Sequence, residues 1–132
     1  MKFVFYSHFD YSDIWPVLFG QCEKYLGDQK KVLFTNKGTA PDGWEVITYD
    51  DSLPYQQRVT SCLNKLETNH LVFSHEDMFL YDVPDLSKLK EFQKVLGNVN
   101  FIKLLRGGYV DELIDAPEHE DLLVAPLDMV FT

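Results

Sequence analysis

Two adjacent carboxylates at the end of an apolar run are the first chemistry this chain offers. Leu71-Val72-Phe73-Ser74 leads into His75-Glu76-Asp77, and a buried strand delivering Glu76 and Asp77 at its carboxyl end puts them where open α/β sheets bind ligands. Oxygen donors suit hard cations, and Mg2+ typically takes one or two carboxylates and leaves the rest of its shell to water and substrate phosphates. Three further groups sit in comparable places. Ser7-His8 follows the first apolar run, Asp50-Asp51 follows a later one, and Arg58 lies on a helical pattern just beyond it.

Each group also has a structural alternative. Glu76-Asp77 reads as a solvated turn in which Asp77 or Asp82 caps backbone donors. Asp50-Asp51-Ser52 reads as the cap of the following helix, and Arg58 as an ion-pair partner of those carboxylates. His8 and His75 make a metal site only with a third ligand, so both read as ordinary loop and strand-end histidines. Trp15, Trp44 and the ten Phe residues read as packing.

The elements that must position these groups follow from periodicity. Phe3 to Tyr6, Lys31 to Thr35, Trp44 to Tyr49, His70 to Ser74, Phe101 to Leu105 and Leu122 to Ala125 read as strands. One helix is predicted from an Asp13 cap, with Pro16 in its first turn and Gly27 at its end. A second is predicted from Pro54 to about Thr68 with Ser52 or Leu53 near its start. A third is predicted from an Asp85 cap, with Gly97 as a left-handed stop. Residues 36–43 and Arg106-Gly107-Gly108-Tyr109 read as turn-rich loops. Strands alternating with helices predict a parallel sheet in an α/β domain.

Length and charge narrow the partners. The 132 residues, 45% hydrophobic, suffice for one compact α/β domain over 1–132. Its end on Met129-Val130-Phe131-Thr132 reads either as a chain that lacks a C-terminal continuation or as a tight terminal strand. A net charge of -9 repels a polyphosphate backbone, so nucleic acid is not an expected partner. A small phosphorylated ligand remains compatible, because a bound cation reverses the local charge. No run approaches the roughly 20 apolar residues of a bilayer span, and the N-terminus lacks a signal core. The expected location is the cytoplasm. Cys22 and Cys62 fall in helical patterns and read as reduced, packed thiols.

Taken in order, the first strand and loop, the acidic pair Asp50-Asp51, Arg58, and Leu63 to Phe73 ending in His75-Glu76-Asp77 resemble the N-terminal nucleotide-binding half of GT-A glycosyltransferases, in particular family 2-like enzymes. The resemblance covers roughly Lys2 to Leu105, and Glu76-Asp77 stands where the family has Asp-X-Asp. It implies a three-layer α/β/α fold with a mostly parallel, Rossmann-like sheet. It also implies transfer of a sugar from a nucleotide-diphosphate donor to an acceptor that the sequence does not identify. Ser7 and His8 would contact the nucleotide, Asp50 and Asp51 would lie near base or ribose, and Arg58 near base or diphosphate. Glu76 and Asp77 would hold Mn2+ or Mg2+ on the diphosphate. If the reaction inverts the anomeric centre, a general base is expected later in the chain, with Asp111, Glu112 and Asp115 as weak candidates. A noncatalytic α/β interaction module is the alternative of a different class. A phosphoacceptor receiver domain is disfavoured, because the first strand ends in Ser7-His8 and not in an acidic pair.

Overall fold

The computed structural model describes residues 1–97 together with Ile102, Leu104, Ile114–Asp115, Asp121 and Leu123–Val124. Its elements in chain order are β1 (Lys2–Tyr6), a 3-10 turn (Phe9–Tyr11), α1 (Trp15–Leu26), β2 (Lys31–Thr35), β3 (Trp44–Thr48), α2 (Tyr55–Leu63), β4 (Leu71–His75), α3 (Leu86–Val95), β5 (Ile114–Asp115) and β6 (Leu123–Val124). Among the described residues this is a mixed α/β protein with three helices and a four-stranded, all-parallel sheet ordered β3-β2-β1-β4. The chain divides into two compact units, Met1–Pro84 and Asp85–Thr132.

Burial along the strands follows from their place in the sheet. All five residues of β2 are buried, as a strand covered on both faces requires, whereas edge strand β4 is half-buried throughout. Val4, Tyr6, Val32, Phe34, Ile47 and Tyr49 form one cluster with Cys62 of α2 and Leu66 beyond it. Side chains alternate along a strand, so Phe3, Phe5 and Leu33 are buried on the opposite side. There Phe5 meets Trp44 at 5.6 Å between ring centroids, and Trp44 meets Phe19 of α1 at 4.9 Å. Lys31 is buried because its ammonium has work at the end of α1, where it bonds the Gly27 carbonyl and lies 3.4 Å from Glu23.

Parallel strands usually need a crossover of a dozen or more residues, yet β2 reaches β3 through residues 36–43 alone. Gly38 makes this possible. Its φ is +105°, and a Cβ there would stand 2.9 Å from Trp15 and 3.0 Å from Phe9.

Several predicted boundaries move. α1 has no Asp13 cap: its N-cap is Ile14 without a side-chain bond, because the chain is already turning from the 3-10 segment and the Ser12 carbonyl takes the Trp15 N–H. α2 starts directly after Pro54, its N-cap, close to the predicted start, but it stops at Leu63 and not near Thr68. The turns that follow still bury Leu66, so apolar spacing alone overextends the helix. β4 runs one residue later than expected.

In the second unit Asp85 caps α3 as predicted, accepting from Ser87 and Lys88 N–H. The C-cap is Leu96, and Gly97 is not left-handed. Lys88 bonds Asp121, and β5 pairs antiparallel with β6. Ile102 and Leu104 are not in a strand; the rest of the predicted strand 101–105, the turn 106–109, Asp111 and Glu112 lie outside the described residues. No helix among the described residues is long and apolar enough to cross a membrane.

Candidate functional site

Because the four strands are parallel, their carboxyl ends share one edge of the sheet. The chain winds outward from β1 through β2 to β3, then returns to place β4 against the other side of β1. The reversal falls between β1 and β4, the position at which open α/β sheets bind ligands. Ser7-His8 leaves β1 at this edge, Asn36 leaves β2, Tyr49-Asp50-Asp51 leaves β3, and Glu76-Asp77 leaves β4.

The first three of these loops are tied together through Asp51. Its Oδ2 lies 2.8 Å from His8 Nε2, and its Oδ1 pairs with Arg58 Nη1 at 2.9 Å. The hydrogen bond from His8, backed by the Arg58 charge and the Asn36 amide, holds the Asp51 carboxyl below the usual carboxylate range. Arg58 also donates from Nε to the Leu53 carbonyl and from Nη2 to the Asp51 carbonyl. It thereby clamps the turn that follows β3. Asp50 closes the same turn by accepting from the Ser52 N–H at 2.9 Å and its hydroxyl at 2.7 Å, which holds the Asp50 carboxyl low as well. Asn36 accepts from the Phe9 N–H at 2.9 Å, which aims its amide nitrogen toward His8 Nε2 at 3.0 Å and Asp51 Oδ2 at 3.4 Å.

Ser7 is fully buried and supports this network from below. Its hydroxyl accepts from Trp15 Nε1 at 2.8 Å, its N–H donates to Phe34, and its carbonyl accepts from the Tyr49 hydroxyl at 2.9 Å. The side chain is therefore spent on positioning His8. Burial, with Tyr6 beside it, pushes the Tyr49 phenol above its ordinary range and keeps it a neutral donor.

Aromatic rings link this network to the end of β4. Tyr6 stacks on Tyr49 at 5.2 Å and meets Tyr55 edge-on at 5.1 Å, while Arg58 sits 5.5 Å over the Tyr49 ring. Tyr6 and His75 are register partners across β1 and β4, with rings 5.6 Å apart. The Tyr55 hydroxyl shares a hydrogen bond with His75 Nε2 at 3.3 Å. Burial raises the Tyr55 phenol, and the charges of Tyr6 and Glu76 add to the effect. Glu76 is half-buried and Asp77 exposed in the turn beyond, and the Asp77 carboxylate has no hydrogen-bond or ion-pair partner among the described residues.

His8, Asp50, Asp51 and Arg58 thus come together as one cluster, with Ser7 beneath it and Glu76-Asp77 at the same sheet edge past the aromatic row. His8 and His75 have separate partners. No group of three or more His, Cys, Asp or Glu able to hold a metal occurs among the described residues, so any ion at Glu76-Asp77 would draw most of its ligands from water and substrate. Asp115 belongs to the second unit, on β5. Sequence reasoning missed Asn36, Tyr6, Tyr49 and Tyr55. Their signal was positional, since Tyr6 and Tyr49 end apolar runs and Asn36 directly follows one. No protein-family model, curated protein or solved structure matches the chain.

Proposed function

We propose that this edge of the sheet binds a nucleotide-diphosphate sugar and that the protein transfers the sugar to an acceptor, as a GT-A-like enzyme with a three-layer, Rossmann-like fold. The observation that carries the reading is the juxtaposition of Tyr6 and His75 as register partners at the chain reversal, with Glu76-Asp77 immediately beyond them. An unpartnered, exposed carboxylate beside a half-buried one suits a hard cation that keeps waters and takes substrate oxygens. Glu76 and Asp77 would hold Mg2+ or Mn2+, which when bound neutralises charge on a departing diphosphate. The exposed face of Tyr55 offers an aromatic surface next to these carboxylates. His8, Asp51 and Arg58 set the shape of the neighbouring wall, since most of their donors and acceptors are committed to each other.

The test is a thermal-shift panel of nucleoside diphosphates, with and without Mn2+, on the wild type and Asp77→Ala. Ligand at a hundred times its Kd stabilises the folded state by about 2.7 kcal/mol. One nucleotide is expected to raise Tm only when Mn2+ and Asp77 are both present. A flat panel, or a shift that survives Asp77→Ala, overturns the assignment. A flat panel favours the second reading, a noncatalytic α/β module, for which the mutual satisfaction of His8, Asn36, Asp51 and Arg58 is the supporting observation.

A further inference from the structure

His8 has both ring nitrogens committed in one protonation state and cannot keep both commitments in the other. Nδ1 lies 3.1 Å from the Asp10 amide nitrogen, and a backbone N–H only donates, so Nδ1 presents its lone pair and the ring proton resides on Nε2. That proton is donated to Asp51 Oδ2 at 2.8 Å. The Asn36 amide nitrogen lies 3.0 Å from Nε2 and 3.4 Å from Asp51 Oδ2; with the ring proton on Nε2, its donation goes to the carboxylate and the Nε2 approach is a donor–donor contact. The Asp10 N–H is among the first donors of the Phe9–Tyr11 turn, so His8 is the N-cap of that turn.

A second proton on the ring must go to Nδ1. It converts the acceptor of the Asp10 N–H into a donor pointed at that same N–H. The acceptor within reach is the Asp10 carboxylate, whose Oδ2 stands 3.4 Å from Nδ1. We infer that His8 is a proton-operated latch on the loop between β1 and α1. Neutral, it caps the Phe9–Tyr11 turn through the Asp10 amide; charged, it releases that amide, takes the Asp10 carboxylate instead and keeps Nε2 on Asp51.

The surroundings favour a local exchange over unfolding. From its own loop His8 faces Asp10. From the loop after β2 it faces neutral Asn36, with the Lys37 ammonium 4.7 Å over the adjacent Phe9 ring; from the loop after β3 it faces Asp51, whose other oxygen holds Arg58 of α2. Two carboxylates therefore accept the charged ring while the cations stand one residue further out. Phe9 stays anchored through protonation, because its N–H is held by Asn36 and its ring lies edge-on to Trp15 at 5.9 Å. The latch stands whether or not the edge binds a nucleotide.

The experiment is a pH series of histidine-ring 15N–1H spectra on the full chain, with hydrogen exchange at the Asp10 amide corrected for its intrinsic pH dependence. The neutral His8 ring is expected as the Nε2–H tautomer. Protection of the Asp10 amide is expected to fall roughly tenfold on protonation, the size of a lost N-cap, with the same midpoint as the His8 ring. In His8→Asn, which keeps a capping oxygen that does not titrate, Asp10 should stay protected without a pH step. A neutral Nδ1–H tautomer, or an Asp10 amide that does not follow the His8 ring, overturns the inference, and the wild-type spectra alone decide both points.

Discussion

The two halves of the sheet's carboxyl edge are built on opposite plans. Past β1, β2 and β3 the polar groups bond one another: Asp51 binds His8 and Arg58, Arg58 binds the Leu53 and Asp51 carbonyls, and Asn36 binds Phe9. Past β4, Asp77 is unpartnered among the described residues, and Met78, Phe79, Tyr81 and Val83 are exposed. The difference teaches that chemistry-bearing residues at a strand end are not by themselves a ligand site. These groups are only partly buried, but each is already paired within the protein and so has little left for a ligand. Free capacity lies on the β4 side.

The largest expected effect comes from breaking the closed half at its backbone. Gly38→Ala places a Cβ at φ +105°, 2.9 Å from the buried Trp15 ring, and strain plus overpacking should cost about 2–4 kcal/mol in urea melts. A loss under about 0.5 kcal/mol would mean that the β2–β3 loop does not lean on Trp15 and Phe9. Tyr49→Phe comes next. It removes the hydroxyl that satisfies the buried Ser7 carbonyl, an unmet acceptor worth about 1–3 kcal/mol. An unchanged melt would show that Ser7 is not held from this side.

How much of this was legible in the sequence differs between elements and contacts. β2 was read to the residue, because a central parallel strand is apolar at nearly every position and Lys30 and Asn36 bound the run. Helix boundaries were less legible. Asp13 is a good capping residue at a place where the preceding turn leaves nothing for it to cap, and Leu66 keeps helical spacing while lying in a turn. The acidic pair, His8 and Arg58 were all selected by type and position. The pairing of Arg58 with the acidic pair was legible as an ion pair and is found at Asp51, whereas the His8 contact was invisible, since His8 and Asp51 stand 43 residues apart and meet only because β1 and β3 run parallel to the same edge. Ser7 was chosen as a contact residue for its place after β1. Its burial under Trp15 and Tyr49 depends on packing that periodicity does not encode.

Acid should expose the closed half selectively. Asp50 and Asp51 are both held below the ordinary carboxylate range, so the unfolded chain takes up their protons more readily than the folded one. Their contribution is fully present above the unfolded value, about pH 4, and is lost as the pH falls through the lower folded values. Urea midpoints followed from pH 7 downward should hold this part of the stability to about pH 4 and then lose it. Asp51→Asn should begin lower at pH 7 and fall less steeply in acid. A variant whose acid slope matches the wild type would remove Asp51 from the centre of the network.

The smallest effect sharpens the comparison most. Asp77→Ala removes a carboxylate that is exposed and unpartnered among the described residues, and such surface changes usually stay within about 0.5 kcal/mol. Its Tm without ligand should therefore equal that of the wild type, while Asp51→Ala, which strands Arg58 and His8 without their shared acceptor, should melt measurably lower. If Asp77→Ala melts as low as Asp51→Ala, the β4 side is tied into the fold as the other side is, and a lost nucleotide response in that variant would report unfolding rather than a missing ligand. If the two separate as expected, Asp77 can be changed without disturbing the scaffold, and the nucleotide panel then reads binding chemistry alone.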